Sequence, residues 1–185
     1  MTDKAAEDSI RELISHLGDD PGREGLQETP KRYLKFLREF LEPQKFNFTT
    51  FENDSGDDMI VQTGIPFHSL CEHHLAPFFG FASVAYIPKK RIVGLSKLAR
   101  CVDHFARRFQ NQERITFQIA EELTRHLDPG GVAVSLTARH FCMEMRGIKK
   151  PGTTTTTSRM TGAFFENVST RSEFYSLIRR DSDFV

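Results

Sequence analysis

The chain has 185 residues, 38% of them hydrophobic, and its 25 basic residues are balanced by 25 acidic ones. That length suits one domain with an appendage and is enough to bury a core, while a net charge of zero supplies no global field that would draw the chain onto nucleic acid or a membrane. The charged N-terminus has no apolar run behind it, no segment is long enough to span a bilayer, and three cysteines without an export signal argue for reduced thiols or metal binding in the cytoplasm.

Residues 9–17 place Ile10, Leu13, Ile14 and Leu17 on one helical stripe, with Gly18 where a C-terminal cap would sit. Asp19-Asp20-Pro21-Gly22 reads as a turn. Thr29-Pro30 then reads as an N-cap followed by proline at the first helical position. Tyr33, Leu34, Leu37, Phe40 and Leu41 carry that helix's apolar stripe, which stops before Pro43. Arg32 and Lys35 lie off the stripe, and taken locally they are a solvated face. The polar run 53–58 is a connector, so an N-terminal helical segment with its connector (1–57) precedes a main domain (58–185).

Beyond the connector the pattern turns to strands: a short one at 59–62 and a β-rich run at 79–87 closed by Pro88. Residues 71–74 lie between them and read as a loop, a place where a rigid frame can converge several side chains. Ser96 is placed to cap a helix running to about 109, with Leu98, Cys101, Val102, Phe105 and Phe109 on one face. Cys101 is then a small core residue. Lys97 and Arg100 sit near that helix's N-terminus, where free backbone N–H groups favour an anion.

A second helix begins after Asn111, with Ile115, Ile119, Leu123 and Leu127 facing the core and Gln112 and Glu113 in its first turn. Residues 132–145 carry the longest strand signal. On one unbroken strand Val132, Val134, Leu136, Ala138, His140, Cys142 and Arg146 would share a face. Residues 153–157 are β-branched and predict another strand. Thr170-Arg171-Ser172-Glu173 matches a capping box that opens a helix with Phe174, Leu177 and Ile178 inside. The order of elements is that of an α+β protein.

Chemistry concentrates in two stretches, Leu70-Cys71-Glu72-His73-His74 and Arg139-His140-Phe141-Cys142. Cys71, His74 and Cys142 are zinc-type ligands that would leave a fourth position open for water; such a site lowers the pKa of bound water to about 7. By spacing alone a closed structural zinc with His140 as fourth ligand is about as good a reading. His73 and His140 are the acid–base candidates, since imidazole changes charge near neutral pH. Lys97, Arg100 and Arg146, with Arg32 and Lys35 as outliers, could form an anion pocket if the fold brings them together.

Cys71-Glu72-His73-His74, Gly94-Leu95-Ser96-Lys97-Leu98-Ala99-Arg100, Gln112-Glu113-Arg114, and His140-Phe141-Cys142 with Arg146-Gly147 resemble GTP cyclohydrolase I, as do Tyr86-Ile87-Pro88 and the threonine-rich strand. The resemblance runs from about Glu28 to the C-terminal helix. It implies the tunnelling fold (T-fold): an antiparallel four-stranded sheet backed by two helices, here with the N-terminal helical segment added. It also implies a homo-oligomer in which two pentameric rings stack into a decamer, with active sites at subunit borders. The implied reaction turns GTP and water into 7,8-dihydroneopterin triphosphate and formate, the first step of pterin and folate biosynthesis.

Residue by residue, the resemblance makes Cys71, His74 and Cys142 the ligands of a Zn²⁺ cofactor and His73 and His140 acid–base groups, so His140 is not a ligand. It makes Ser96 a proton donor, Gln112 and Glu113 the guanine-binding pair, with Gln112 counted among the catalytic groups, and Ser96, Lys97, Arg100 and Arg146 ribose-triphosphate contacts. Arg32 and Lys35 would come from a neighbouring subunit. Phe109-Gln110-Asn111 stands where Pro-Gln-Val is common in the family, and Cys101 replaces a more usual aliphatic residue. A non-catalytic relative with a structural zinc that binds a purine or pterin would share most of these motifs. The nitrile reductase of queuosine synthesis shares the fold but needs a nicotinamide cofactor and lacks this zinc set.

Overall fold

The computed structural model describes residues 2–43 and 45–179. The chain forms two compact units, Met1–Glu42 and Pro43–Val185. The first is a helical pair, α1 (Asp3–His16) and α2 (Thr29–Leu41). The Thr2 side chain caps α1, which therefore begins six residues before the expected 9–17 helix, and Gly18, at φ 92, comes directly after its C-cap. Thr29 proves to be the first helical residue of α2 and not its cap; Glu28 holds that position with Pro30 one residue inside. Arg38 joins the two helices through a two-pronged ion pair with Asp3.

The second unit is built on a sheet. Its strands are β2 (Ile60–Cys71), β3 (Pro77–Ile87), β5 (Phe109–Gln110), β6 (Gly131–His140) and β7 (Thr154–Met160), in the order β5-β2-β3-β6-β7. β2, β3, β6 and β7 are antiparallel neighbours, whereas β5 pairs in parallel with the end of β2. The sheet is therefore five-stranded and mixed, not four-stranded and antiparallel. β1 (Thr50–Glu52) and β4 (Arg91–Val93) pair separately; at three residues each they are too short to show a period of two.

The expected short strand at 59–62 is the start of a twelve-residue strand. Its pattern is hidden by an irregularity between Gln62 and Ile65, where Gly64 adopts φ 64, and by Pro66. Proline is tolerated there because, among the described residues, β2 is paired on its second side only at Leu70 and Cys71. Cys71 is accordingly the last strand residue, and the turn begins at Glu72. At the other end of the sheet, β6 stops at His140 and the chain coils into the short helix α5 (Phe141–Glu144). Cys142 and Arg146 thus do not share an extended face with His140, as the alternation suggested.

Two helices cover one face: α3 (Leu95–Ala106) and α4 (Gln112–Leu127). Leu98, Cys101, Val102, Ile115, Ile119 and Leu123 pack there against Val84, Tyr86, Val132, Val134 and Leu136. Ser96 is not the cap of α3: Gly94 is the N-cap and Ser96 lies in the first turn. α4 matches expectation, with Asn111 as cap and its apolar stripe buried. On the opposite face Ala85 and Ala133 meet Phe164 and Phe174, from α6 (Ala163–Glu166) and α7 (Val168–Arg179). The expected capping box at 170–173 falls inside α7, because Asn167 accepts from the Ser169 and Thr170 N–H groups and starts the helix earlier. Leu177, expected inside, is exposed.

The β3–β6 rung at Gly80 and Ala138 is tight: a Cβ on Gly80 would run into the Thr137 carbonyl and Ala138 Cα. Both neighbours are backbone, so the strands themselves would have to part. Gly80→Ala should therefore destabilise the fold by about 3 kcal/mol, measurable as a lowered denaturant midpoint. A midpoint unchanged from the parent would show that the β3–β6 spacing is not fixed at this rung.

Candidate metal centre and active site

The end of β2 and the α5 hook bring Cys71, His74 and Cys142 together, with their ligand atoms all within 4.8 Å of one another. Cys71 Sγ lies 3.7 Å from His74 Nδ1. Tetrahedral zinc with ordinary Zn–S and Zn–N bonds would separate the two by about 3.6 Å, so the donor set fits that ion. Two thiols and an imidazole are also the chemistry zinc selects. His73 Nδ1 stands 3.9 Å from the same sulfur, with its side chain largely exposed. Burial, then the neighbouring Cys71, push the Cys142 thiol above its ordinary range, while Arg146 pulls the other way.

His140 is held by a different set of contacts. Its ring stacks on Phe78 at 4.6 Å with an interplanar angle of 7°, and Phe78 is its partner across the β3–β6 ladder. Its Nε2 lies 2.8 Å from Gln112 Oε1. The buried Gln112 amide has a fixed orientation, because its Nε2 donates to the Leu136 and Thr155 carbonyls and to Thr157 Oγ1. The oxygen therefore faces His140, whose Nε2–H must be the donor. That leaves Nδ1 of neutral His140 as the free nitrogen. Burial lowers the His140 pKa, and the Glu113 carboxylate opposes it.

The remaining candidates divide by element. Ser96, Lys97 and Arg100 lie in the first turns of α3, where Lys97 Nζ reaches Asn47 Oδ1 at 3.3 Å. Arg146 is exposed just beyond α5 and acts electrostatically on Cys142. Arg32 and Lys35 belong to the Met1–Glu42 unit, with Lys35 3.7 Å from Glu39. Cys101 is fully buried among apolar neighbours, and burial pushes its thiol far above the ordinary range.

One group escaped sequence reasoning. Glu72 accepts from both Arg114 guanidinium ends, at 2.6 and 2.9 Å, and from Asn111 Nδ2 at 2.9 Å. Arg114, then Asn111, hold its carboxyl below the usual range. The available signal was a charged residue between two ligands and an arginine directly after Gln112-Glu113.

The family model for GTP cyclohydrolase I matches residues 6–179. Among curated relatives, GTP cyclohydrolase 1 of Sulfurihydrogenibium sp. is 51% identical over 93% of this chain and 92% of its own. That of Campylobacter jejuni (strain RM1221) is 48% identical over 95% of each chain, and that of Synechococcus sp. (strain JA-2-3B'a(2-13)) is 49% identical over 100% of this chain and 82% of its own.

The three converging donors set an expectation for metal content. Protein as isolated should carry one zinc per chain; Cys142→Ser should lose it and Cys101→Ser should keep it, as read by metal analysis of folded samples. Loss of zinc from the Cys101 variant alone would overturn the ligand set.

Proposed function

The chain belongs to the GTP cyclohydrolase I family, and on that premise we propose that it converts GTP and water to 7,8-dihydroneopterin triphosphate and formate in a zinc-dependent reaction. The observation that carries the reading is the convergence of Cys71, His74 and Cys142, with His140 two residues before Cys142 in the chain and within electrostatic reach of Glu113. These donors would hold the ion. When bound there, zinc supplies Lewis acidity that brings the pKa of a coordinated water to about 7.

The chain's own side chains supply positioning and proton transfer. Opening the guanine imidazole ring at C8 and releasing formate require protons to be taken from water and given to ring nitrogens. His140, with Nε2–H spent on Gln112, offers Nδ1 for this, and His73 is the second carrier at the exposed side of the metal donors. Ser96 is the proton donor for ribose opening, and Lys97, Arg100 and Arg146 receive the ribose-triphosphate. Glu113 reads the base. Guanine presents N1–H and a 2-amino group side by side, which one carboxylate can accept together; adenine has an acceptor at N1 and would leave the carboxylate unpaired. A site built on such bonds rejects the wrong base by roughly 10⁴-fold.

We further propose the tunnelling fold closed into a ring, two rings stacking as a decamer, with Arg32 and Lys35 completing a neighbouring subunit's site. β7 stands at one edge of the sheet, and a ring covers such an edge by pairing it with another strand.

Zinc-loaded protein incubated with GTP should develop pterin absorbance with one formate released per pterin; GTP left unchanged would refute the reading. Glu113→Gln keeps one acceptor but turns a donor toward a donor, so kcat/KM for GTP should fall about 10- to 100-fold with zinc retained. Near-normal GTP kinetics in that variant would mean the guanine is read elsewhere. Sedimentation should give a ring-sized particle, and a fully active monomer would contradict the assembly.

A further inference from the structure

We infer that Glu72, Arg114 and Asn111 form a clamp that locks the metal-ligand turn to the first turn of α4, making these three the positioning residues that join the two halves of the site. One half is Cys71, His73 and His74; the other is Gln112 and Glu113, through which His140 is held. No strand or helix runs through both. The short β2–β5 ladder brings Cys71 alongside Gln110, and the side-chain tie across that junction is Glu72, flanked in sequence by Cys71 and His73, with its partners on either side of Gln112-Glu113.

The contacts leave Glu72 little freedom. Its Oε2 accepts from one Arg114 nitrogen at 2.6 Å, and its Oε1 accepts from the other and from Asn111 Nδ2, each at 2.9 Å. Asn111 is oriented in turn, because its Oδ1 caps α4 by accepting the Arg114 backbone N–H at 2.8 Å. Its amide nitrogen must then face Glu72. The Glu72 backbone is tied to the same region: its N–H donates to the Gln110 carbonyl at 3.0 Å, and Gln110 Oε1 accepts from Arg114 at 3.2 Å. Glu72 Oε1 also stands 3.9 Å from His73 Nε2, an electrostatic neighbour beyond hydrogen-bond reach.

The geometry points to register more than to stability. An isolated ion pair at this level of exposure contributes little, but a two-pronged carboxylate–guanidinium contact with a third donor has directional specificity. Partners one shell outside a metal site characteristically change affinity or activity about 10- to 100-fold when removed. The effect on substrate rests on the proposed GTP reaction; the effect on the turn does not.

The test uses the full-length, zinc-loaded protein and the variants Arg114→Gln, Arg114→Lys, Glu72→Gln and the double Glu72→Gln/Arg114→Gln. Three readouts are taken: the rate of zinc release to a chelator, hydrogen exchange of the 70–76 amides, and kcat and KM for GTP. Arg114→Gln should release zinc about tenfold faster, speed exchange across 70–76, and raise KM for GTP more than it lowers kcat. Arg114→Lys, which keeps the charge without the fork, should recover part of each loss. The double variant should be no worse than the worse single, as expected for members of one network. Unchanged zinc release and exchange in Arg114→Gln would overturn the clamp, as would losses that multiply in the double variant, or a lowered unfolding midpoint with zinc release and KM unmoved. Should the parent protein fail to turn over GTP, the functional reading falls, while exchange and zinc release still decide the clamp.

Discussion

The site depends on a backbone constraint laid down before any side chain is counted: the turn after β2 is tied at both ends. The Cys71 N–H donates to the Ala76 carbonyl at 2.9 Å, and the Cys71 carbonyl accepts from Leu75 at 2.8 Å and from His74 at 3.3 Å. This closure forces Leu75 into the left-handed region, φ 52, a conformation that costs a non-glycine residue about 1–3 kcal/mol. The left-handed step turns the chain back directly after the ligand His74, so that the Ala76 carbonyl meets the Cys71 N–H and β3 can begin at Pro77.

The opposite wall is fixed by different means. β6 ends where Phe78 and His140 face each other on one rung, and flat stacking of the two rings prevents the imidazole from rotating. Immediately alongside, Arg139 forks onto the buried carboxylate of Glu144, at 2.8 and 2.6 Å, pinning the α5 hook that carries Cys142. Strand, hook and turn thus converge from three elements, and Gln112 adds a fourth by reaching from α4 across to β6 and β7. On a chain of zero net charge, the working electrostatics are all local and come from these few fixed groups.

Where the sequence was legible, a single periodicity governed. The α4 stripe of Ile115, Ile119, Leu123 and Leu127 is buried as its spacing required, and Cys101 sits on the α3 face where its neighbours placed it. The donor trio was legible because cysteine and histidine at that spacing have few other uses. The reading failed where periodicity is broken by a local device. Gly64 and Pro66 concealed most of β2, and even-numbered alternation past His140 concealed the α5 hook, since Phe141, Cys142 and Met143 look as strand-like as the β6 residues before them. Asn167 outcompeted a well-formed capping box because its side chain could take the exposed N–H groups of Ser169 and Thr170 first. The Glu72 clamp was out of reach for another reason: it joins residues 39 and 42 positions apart, and nothing short of the fold places an acidic residue opposite a particular arginine.

In the proposed function, three protein ligands hold one catalytic zinc and the groups around it act on GTP. Stepwise addition of zinc to metal-free protein, with formate release from GTP measured at each step, probes both halves of this reading. Turnover should rise in proportion to bound zinc and level off at one ion per chain. Undiminished formate release from protein stripped of metal, or none at full loading, would contradict it.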